Sequence, residues 1–296
     1  MGRWFGAGGR SALWAMLAVA AATGAVRAQE VINLPNDYQL GLQDSASPTM
    51  TDIVWMHDIV LLPIITVITL FVLGLLLWVM VFYNARSNPT PSRTTHNTVV
   101  EVLWTIVPIG VLIVIAIPSF KILYQQLEMP EAEMTIKATG HQWYWSYEYP
   151  DHGDIAFDSL MLEDSERTEG QPRLLAVDNA VVVPEGRVVR VQVTSLDVIH
   201  DWALPAFGIK TDAIPGRLNE TWFKAEKAGT YYGMCSELCG VRHAYMPIEV
   251  RVVPQEAFDQ WVERAQAEFA EAPSGVEERD PRTAAVATPA RTIRTN

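Results

Sequence analysis

The chain has 296 residues, 49% of them apolar, and a formal net charge of −12. That length supports a sizeable buried core, and the acidity argues against a nucleic-acid partner and for a basic one. The imbalance is local: residues 1–127 hold six acids and six basic residues, while 128–296 hold 28 and 16.

Arg3 and Arg10 precede the apolar stretch SALWAMLAVAAATGAV, and VRA closes on the small residue Ala28. This is the pattern of a signal peptide over 1–28, with cleavage expected after Ala28 and an N-terminal segment outside the membrane over 29–54. Two apolar runs follow, at 59–83 and 102–120. Each is long enough to cross a bilayer, with Trp55, Trp78, Tyr83, Trp104 and Tyr124 placed to lie at the interfaces. They predict a transmembrane hairpin over 55–125, with helices at about 59–83 and 102–123. The connector NARSNPTPSRTTHNT carries Arg86 and Arg93 and no acid, which puts it in the cytoplasm and both termini outside. Thr98 and Glu101 have the spacing of a capping box at the start of the second helix.

From Glu133 the apolar period becomes two. RVVRVQVTS (187–195) places Val189, Val191 and Val193 on one face. MTIKATG, QWYWSYEY, LLAVD, TWFKA, GTYYGM and MPIEVRVV read as further strands, separated by turn residues. They predict an all-β Greek-key barrel or sandwich over 128–254. In the last aromatic run, Trp143, Trp145, Tyr147 and Tyr149 are expected on one strand face and Tyr144 on the other. Residues 255–271 predict a short C-terminal helix with a stripe of Phe258, Trp261, Val262, Ala265 and Phe269. The Pro/Ala/Thr/Arg-rich residues 272–296 predict a disordered tail.

The only two cysteines lie in GMCSELCGVRHAYM: Cys235 and Cys239, followed by His243 and Met246. A disulfide across so short a loop would gain little entropy and would need neither histidine nor methionine. Structural zinc calls for four nitrogen or sulfur ligands, and a thioether suits it poorly. Two thiols, an imidazole and a thioether fit copper better. His200, in VIHDWALP after an expected strand, offers a second imidazole.

GMCSELCGVRHAYMPIEV, VIHDW, KTDAIPGR, GHQWYWSYEYP and the preceding hairpin together resemble subunit II of aa3-type cytochrome c oxidases, in the bacterial form with a cleaved leader. The resemblance runs from about residue 38 to 262. It implies a cupredoxin domain carried by the hairpin in the bacterial inner membrane, with both termini and the copper domain periplasmic. It also implies a dinuclear copper A centre. Cys235 and Cys239 would bridge the two coppers, His200 and His243 would cap one each, and Met246 and the Glu237 carbonyl would be weak axial ligands. The Glu237 side chain would reach a magnesium or manganese shared with subunit I. Trp143 would receive electrons from cytochrome c, and Glu148, Asp158, Asp178 and Asp197 would form its acidic docking face. Glu101 would mark a proton-uptake entrance leading into subunit I, and Asp212 and Arg217 would come together against that subunit. The implied function is acceptance of electrons from cytochrome c and their passage to haem in subunit I, where oxygen is reduced to water. A quinol-oxidase subunit II would lack the copper ligands. A membrane-anchored copper carrier would offer a simpler, more open thiol or methionine site. The chain has no C-x-x-C-H, so no attached c-type haem is expected.

Overall fold

The structure is a computed structural model that describes residues 31–269 apart from Asn36 and Asp154. The expected signal peptide at 1–28 and tail at 272–296 lie outside the described residues.

A short strand, β1 (Val31–Asn33), precedes the first membrane helix. That helix runs from Pro48 to Phe82 as α1 (Pro48–Trp55), a π-helical stretch (Met56–Leu61) and α2 (Leu62–Phe82). It starts well before the expected residue 59 and takes in the end of the segment expected to lie outside the membrane. The local reason is a Ser47–Pro48 start signal: the Ser47 side chain accepts from the Met50 N–H, and proline occupies the first helical position. The second helix, α3 (Thr98–Leu127), is also longer than expected. Its cap is Asn97, whose side chain accepts from the Val99 and Val100 N–H groups, while Glu101 Oε1 accepts from the Asn97 N–H at 3.3 Å. The expected Thr98 cap is therefore displaced by one residue, because asparagine is the stronger N-cap. Among the described residues nothing covers the most apolar 18-residue stretch of either helix, and with backbone bonds satisfied internally these stretches are suited to a bilayer.

Two sheets follow. One is ordered β4 (Ile155–Ser159), β3 (Tyr144–Tyr149), β2 (Met134–His141), β6 (Val188–Ser195), β9 (Asn219–Lys224). The other is ordered β5 (Val181–Pro184), β11 (Pro247–Val253), β10 (Gly229–Cys235), β7 (His200–Leu204), β8 (Ile209–Ala213), with β1 joined in parallel to β10. Their inner faces enclose the core. Val189, Val191 and Val193 are buried as the alternation requires, facing Trp202, Leu204, Tyr231, Ile248 and Val250. Trp145, Tyr147 and Tyr149 are also buried, and the two phenols keep their polar ends paired. Tyr147 Oη accepts from Trp202 Nε1 across the sandwich (3.2 Å), and Tyr149 Oη accepts from the Val182 N–H (2.9 Å) and donates to its carbonyl (3.1 Å). Trp143 departs from the expected pattern. It lies in the turn before β3, half-buried, rather than on the strand face. The segment LLAVD forms no strand; Val177 makes a single bridge to Met161. The last helix, α4 (Gln255–Phe269), lays its expected stripe on the core, with Phe258 and Ala265 fully buried.

The hairpin and the sandwich are joined by more than the chain. The Ala46 N–H donates to the Ala206 carbonyl (2.9 Å), and the Glu226 N–H donates to the Ala46 carbonyl (3.0 Å). Ser47 Oγ donates to the Phe207 carbonyl (2.8 Å), and Gln126 Nε2, near the end of α3, donates to the Gly208 carbonyl (3.0 Å).

Candidate metal centre

β10 and β11 are antiparallel neighbours, with Met234 opposite Pro247, so the loop between them returns to its starting point. That loop holds Cys235, Glu237, Cys239, His243 and Met246, and its mouth is closed by the Cys235 N–H on the Met246 carbonyl (3.3 Å). His200 comes five residues after the end of β6, as expected, and opens β7. β7 pairs with β10 at Cys235–Trp202, which carries the imidazole to the cysteines.

All the expected ligand groups meet. Cys235 and Cys239 are buried free thiols with sulfurs 3.9 Å apart. His200 Nδ1 lies 3.9 Å from Cys235 Sγ, and His243 Nδ1 lies 3.5 Å from Cys239 Sγ. Met246 Sδ is 3.5 Å from Cys239 Sγ, and the Glu237 carbonyl accepts from Cys235 Sγ at 3.3 Å. The ligand atoms of His200, Cys235 and Cys239 lie within 4.8 Å of one another, a group able to hold a metal. Two thiols, two imidazoles and a thioether form a soft donor set of the kind copper takes.

The electrostatics set a proton-holding imidazole beside an ionisable thiol, and metal binding would release those protons. Burial opposes charge on His200, but hydrogen bonding to Asp197 and Cys235 outweighs it and raises the imidazole pKa to about 9. Burial raises the Cys235 thiol, yet His200 and two backbone contacts bring it below the ordinary value. Cys239 is held up by burial and by Cys235 beside it. Cys235 is thus the thiol that ionises first.

Gln142, not singled out in the sequence, holds this loop together with Trp143. Gln142 Nε2 donates to the Cys239 carbonyl at 2.7 Å, and Trp143 Nε1 donates to the same oxygen at 3.3 Å. Gly240 is required there: its φ is +123°, and a Cβ would come within 3.0 Å of the Trp143 ring.

The remaining expected residues fall in three places. On the outer face of β3–β4, Glu148 pairs with Lys137 (2.7 Å), and Asp158 accepts from Ser146 Oγ (2.6 Å). Asp178 sits beside them, accepting from the Leu160 and Asn179 N–H groups. Asp197 lies apart, hydrogen-bonded to His200 at 2.8 Å. On β7–β8, Asp201 and Asp212 are direct neighbours across the strand pair. Asp201 is buried, with Oδ1 lacking a hydrogen-bond partner; burial and Asp212 push its carboxyl up to about 7 against the pull of Lys210. The Glu237 side chain is exposed. Among the described residues no ion pair joins Asp212 to Arg217, which lies beyond the Pro215–Gly216 turn. Glu101 is at the far end of the hairpin from the metal group.

A two-helix membrane hairpin carrying a β-sandwich with a buried sulfur and imidazole cluster defines a membrane-anchored protein with a domain able to hold a metal. Family patterns agree along the chain: "Cytochrome C oxidase subunit II, periplasmic domain" matches residues 134–253, and the transmembrane domain of the same family matches 35–122. A probable cytochrome c oxidase subunit 2 of Rickettsia bellii is 52% identical over 228 residues, 77% of this chain and 84% of the relative. Cytochrome c oxidase subunit 2 of Cereibacter sphaeroides is 46% identical over 269 residues, 84% of this chain and 88% of the relative. The crystal structure of the periplasmic domain of subunit II from Bradyrhizobium japonicum is 63% identical, covering 48% of this chain and 99% of that one, with a TM-score of 0.46. The chain belongs to the cytochrome c oxidase subunit II family. It is a membrane subunit of an oxidoreductase, and its partners are the other oxidase subunits.

Proposed function

We propose that this subunit takes electrons from cytochrome c at a centre of two copper ions and passes them to haem in subunit I. The observation that carries the reading is the convergence of Cys235, Cys239, His200, His243 and Met246 at sulfur and nitrogen contacts of 3.5–3.9 Å, without a disulfide. When bound, copper supplies a one-electron couple. The chain supplies the rest: two soft thiolates, two imidazoles, the Met246 thioether and the Glu237 carbonyl, on a loop pinned at both ends so that little need move. Both thiols are almost wholly covered, which suits retention of metal and opposes a carrier that must hand it over.

Trp143 receives the electron. Its ring is half-buried, and its N–H on the Cys239 carbonyl gives a hydrogen-bonded route to a ligand. Glu148, Asp158 and Asp178 form the docking face for a lysine-rich cytochrome c, with Asp197 at its border. The exposed Glu237 carboxylate takes magnesium or manganese at the border with subunit I; the unpartnered Asp201 oxygen and Asp212 nearby support a cation on that side. Glu101 both supports the Asn97 cap and serves as the proton-uptake entrance. The hairpin spans the bacterial inner membrane among lipid, with the 128–254 domain and both termini periplasmic once 1–28 has been removed.

The test is copper loading of the full chain in detergent. Two copper ions per chain sharing one unpaired electron are expected, and hyperfine structure from a single copper in the fully loaded protein would sink the reading.

A further inference from the structure

We propose that Asp197 is the positioning residue of the metal centre: it fixes the His200 ring so that Nδ1 is the nitrogen offered to the metal. The inference rests on His200 being a copper ligand and assigns to Asp197 a role different from docking.

His200 is completely buried, and its Nε2 lies 2.8 Å from Asp197 Oδ1. An ionised carboxylate only accepts hydrogen bonds, so Nε2 must carry the hydrogen. When the ring gives up a proton to take a metal, Nε2 keeps its hydrogen for Asp197 and the lone pair opens on Nδ1, the atom that faces Cys235 Sγ. The ring has little freedom to turn otherwise. Trp145 stands edge-on to it, with centroids 6.0 Å apart, and the backbone of Gly140 passes so close that a Cβ there would lie 2.8 Å from His200 Cδ2.

Asp197 is itself fixed from three directions. Oδ1 also accepts from the Val198 N–H (2.6 Å), and Oδ2 accepts from the Gln142 N–H (2.6 Å); the Ser195 hydroxyl nearby gives its hydrogen to the Val198 carbonyl (2.5 Å). Three donors engage a group with about four acceptor positions. Gln142 carries the connection onward, because its side chain holds the Cys239 carbonyl. Asp197 and Gln142 thus link the strand bearing one imidazole to the loop bearing both thiols. Asp197 is exposed, yet its oxygens are engaged by His200, Val198 and Gln142 of this chain, the first of them an expected metal ligand. Asp158 and Asp178 make no contact with a metal-binding side chain. His243 has no carboxylate partner among the described residues, so the two imidazoles are held unequally. Histidine ligands oriented by a carboxylate lose about 10–100-fold in metal affinity when it is removed.

The test compares full-length wild type, Asp197→Ala, Asp197→Asn and Asp158→Asn in detergent. In the metal-free protein, a downfield His200 ring N–H proton is expected in wild type and Asp158→Asn and is expected to vanish in Asp197→Ala. After copper loading, chelator competition should show affinity about 10–100-fold weaker in Asp197→Ala, independent of salt. Asp197→Asn keeps an acceptor oxygen and should restore much of the affinity. Its reduction potential should still rise, since a negative charge that favours the oxidised centre has gone. Persistence of the ring proton and of wild-type affinity in Asp197→Ala, with only a salt-dependent slowing of cytochrome c oxidation, would overturn the proposal and leave Asp197 a docking acid. A wild-type chain that shows the ring proton and takes up no copper would instead refute the copper reading.

Discussion

Gly140→Ala should displace a metal ligand without touching the ligand itself. Gly140 is on β2, opposite Trp145 of β3 and Ser195 of β6. An added methyl would lie 2.8 Å from His200 Cδ2 and 3.0 Å from Cγ, against about 3.5 Å for an ordinary carbon–carbon contact. Something must move by roughly 0.7 Å. The backbone is held by both neighbouring strands, so the ring yields, away from Cys235 or out of its bond to Asp197. Overpacking of this kind costs about 1–3 kcal/mol, and about 2 kcal/mol lowers the melting temperature of a protein this size by roughly 4–8 °C. A displaced ligand should weaken copper binding at least about tenfold, which removes a further ~1.4 kcal/mol from the loaded protein. The assay pairs melting curves, with and without copper, with chelator competition. The copper-loaded variant should lose more than the metal-free one. Wild-type affinity together with an unchanged melting point would show that Gly140 and His200 are not in the relation described.

Trp143→Phe removes the N–H on the Cys239 carbonyl but keeps a ring; flash reduction of the pre-formed complex should show a much slower transfer from cytochrome c to copper, with affinity for cytochrome c and copper content little changed, and an unaltered rate would exclude Trp143 from the route. Neutralising Asp158 and Asp178 together should weaken cytochrome c association most at low ionic strength; a loss of turnover independent of salt and donor concentration would count against docking. Tyr149→Phe orphans the Val182 N–H and carbonyl in a buried setting and should cost about 1–3 kcal/mol, read as a lower melting point with copper binding intact. Stripping copper should lower the melting point in proportion to the logarithm of the free copper concentration used for loading, and a melting point insensitive to copper would refute a site that binds only the folded chain.

What the sequence made legible was whatever depends on local spacing. The C-x-x-x-C-x-x-x-H-x-x-M run places its donors on one short loop, and that loop forms as expected. The β6 valines and the α4 stripe also follow from period alone. Helix ends were less legible: an apolar count cannot see the Ser47–Pro48 start, because residues 48–55 include polar positions. Trp143 was assigned to a strand because aromatic alternation continues through it, although the chain turns at Gln142 and Trp143. Least legible were relations across distance in the chain. Asp197 contacts Gln142, 55 residues away, and Gln142 contacts Cys239, 97 residues away. Nothing in the residue types separates Asp197 from Asp158 or Asp178; only the fold sets one of the three acids against His200.

The bonds from Ala46, Ser47 and Gln126 to the stretch Ala206–Gly208 make the hairpin a bracket rather than a leash. A domain on a flexible leash would have to find its orientation over the membrane before each onward transfer, and the rate would carry the cost of that search. Here the outer ends of both membrane helices grip the turn that follows β7, the strand that His200 begins. The height of the thiol pair above the bilayer is therefore a dimension of the fold. Under the proposed function, the docking of cytochrome c is then the mobile leg of the electron's journey, and the onward leg starts from a domain hydrogen-bonded to its own membrane hairpin.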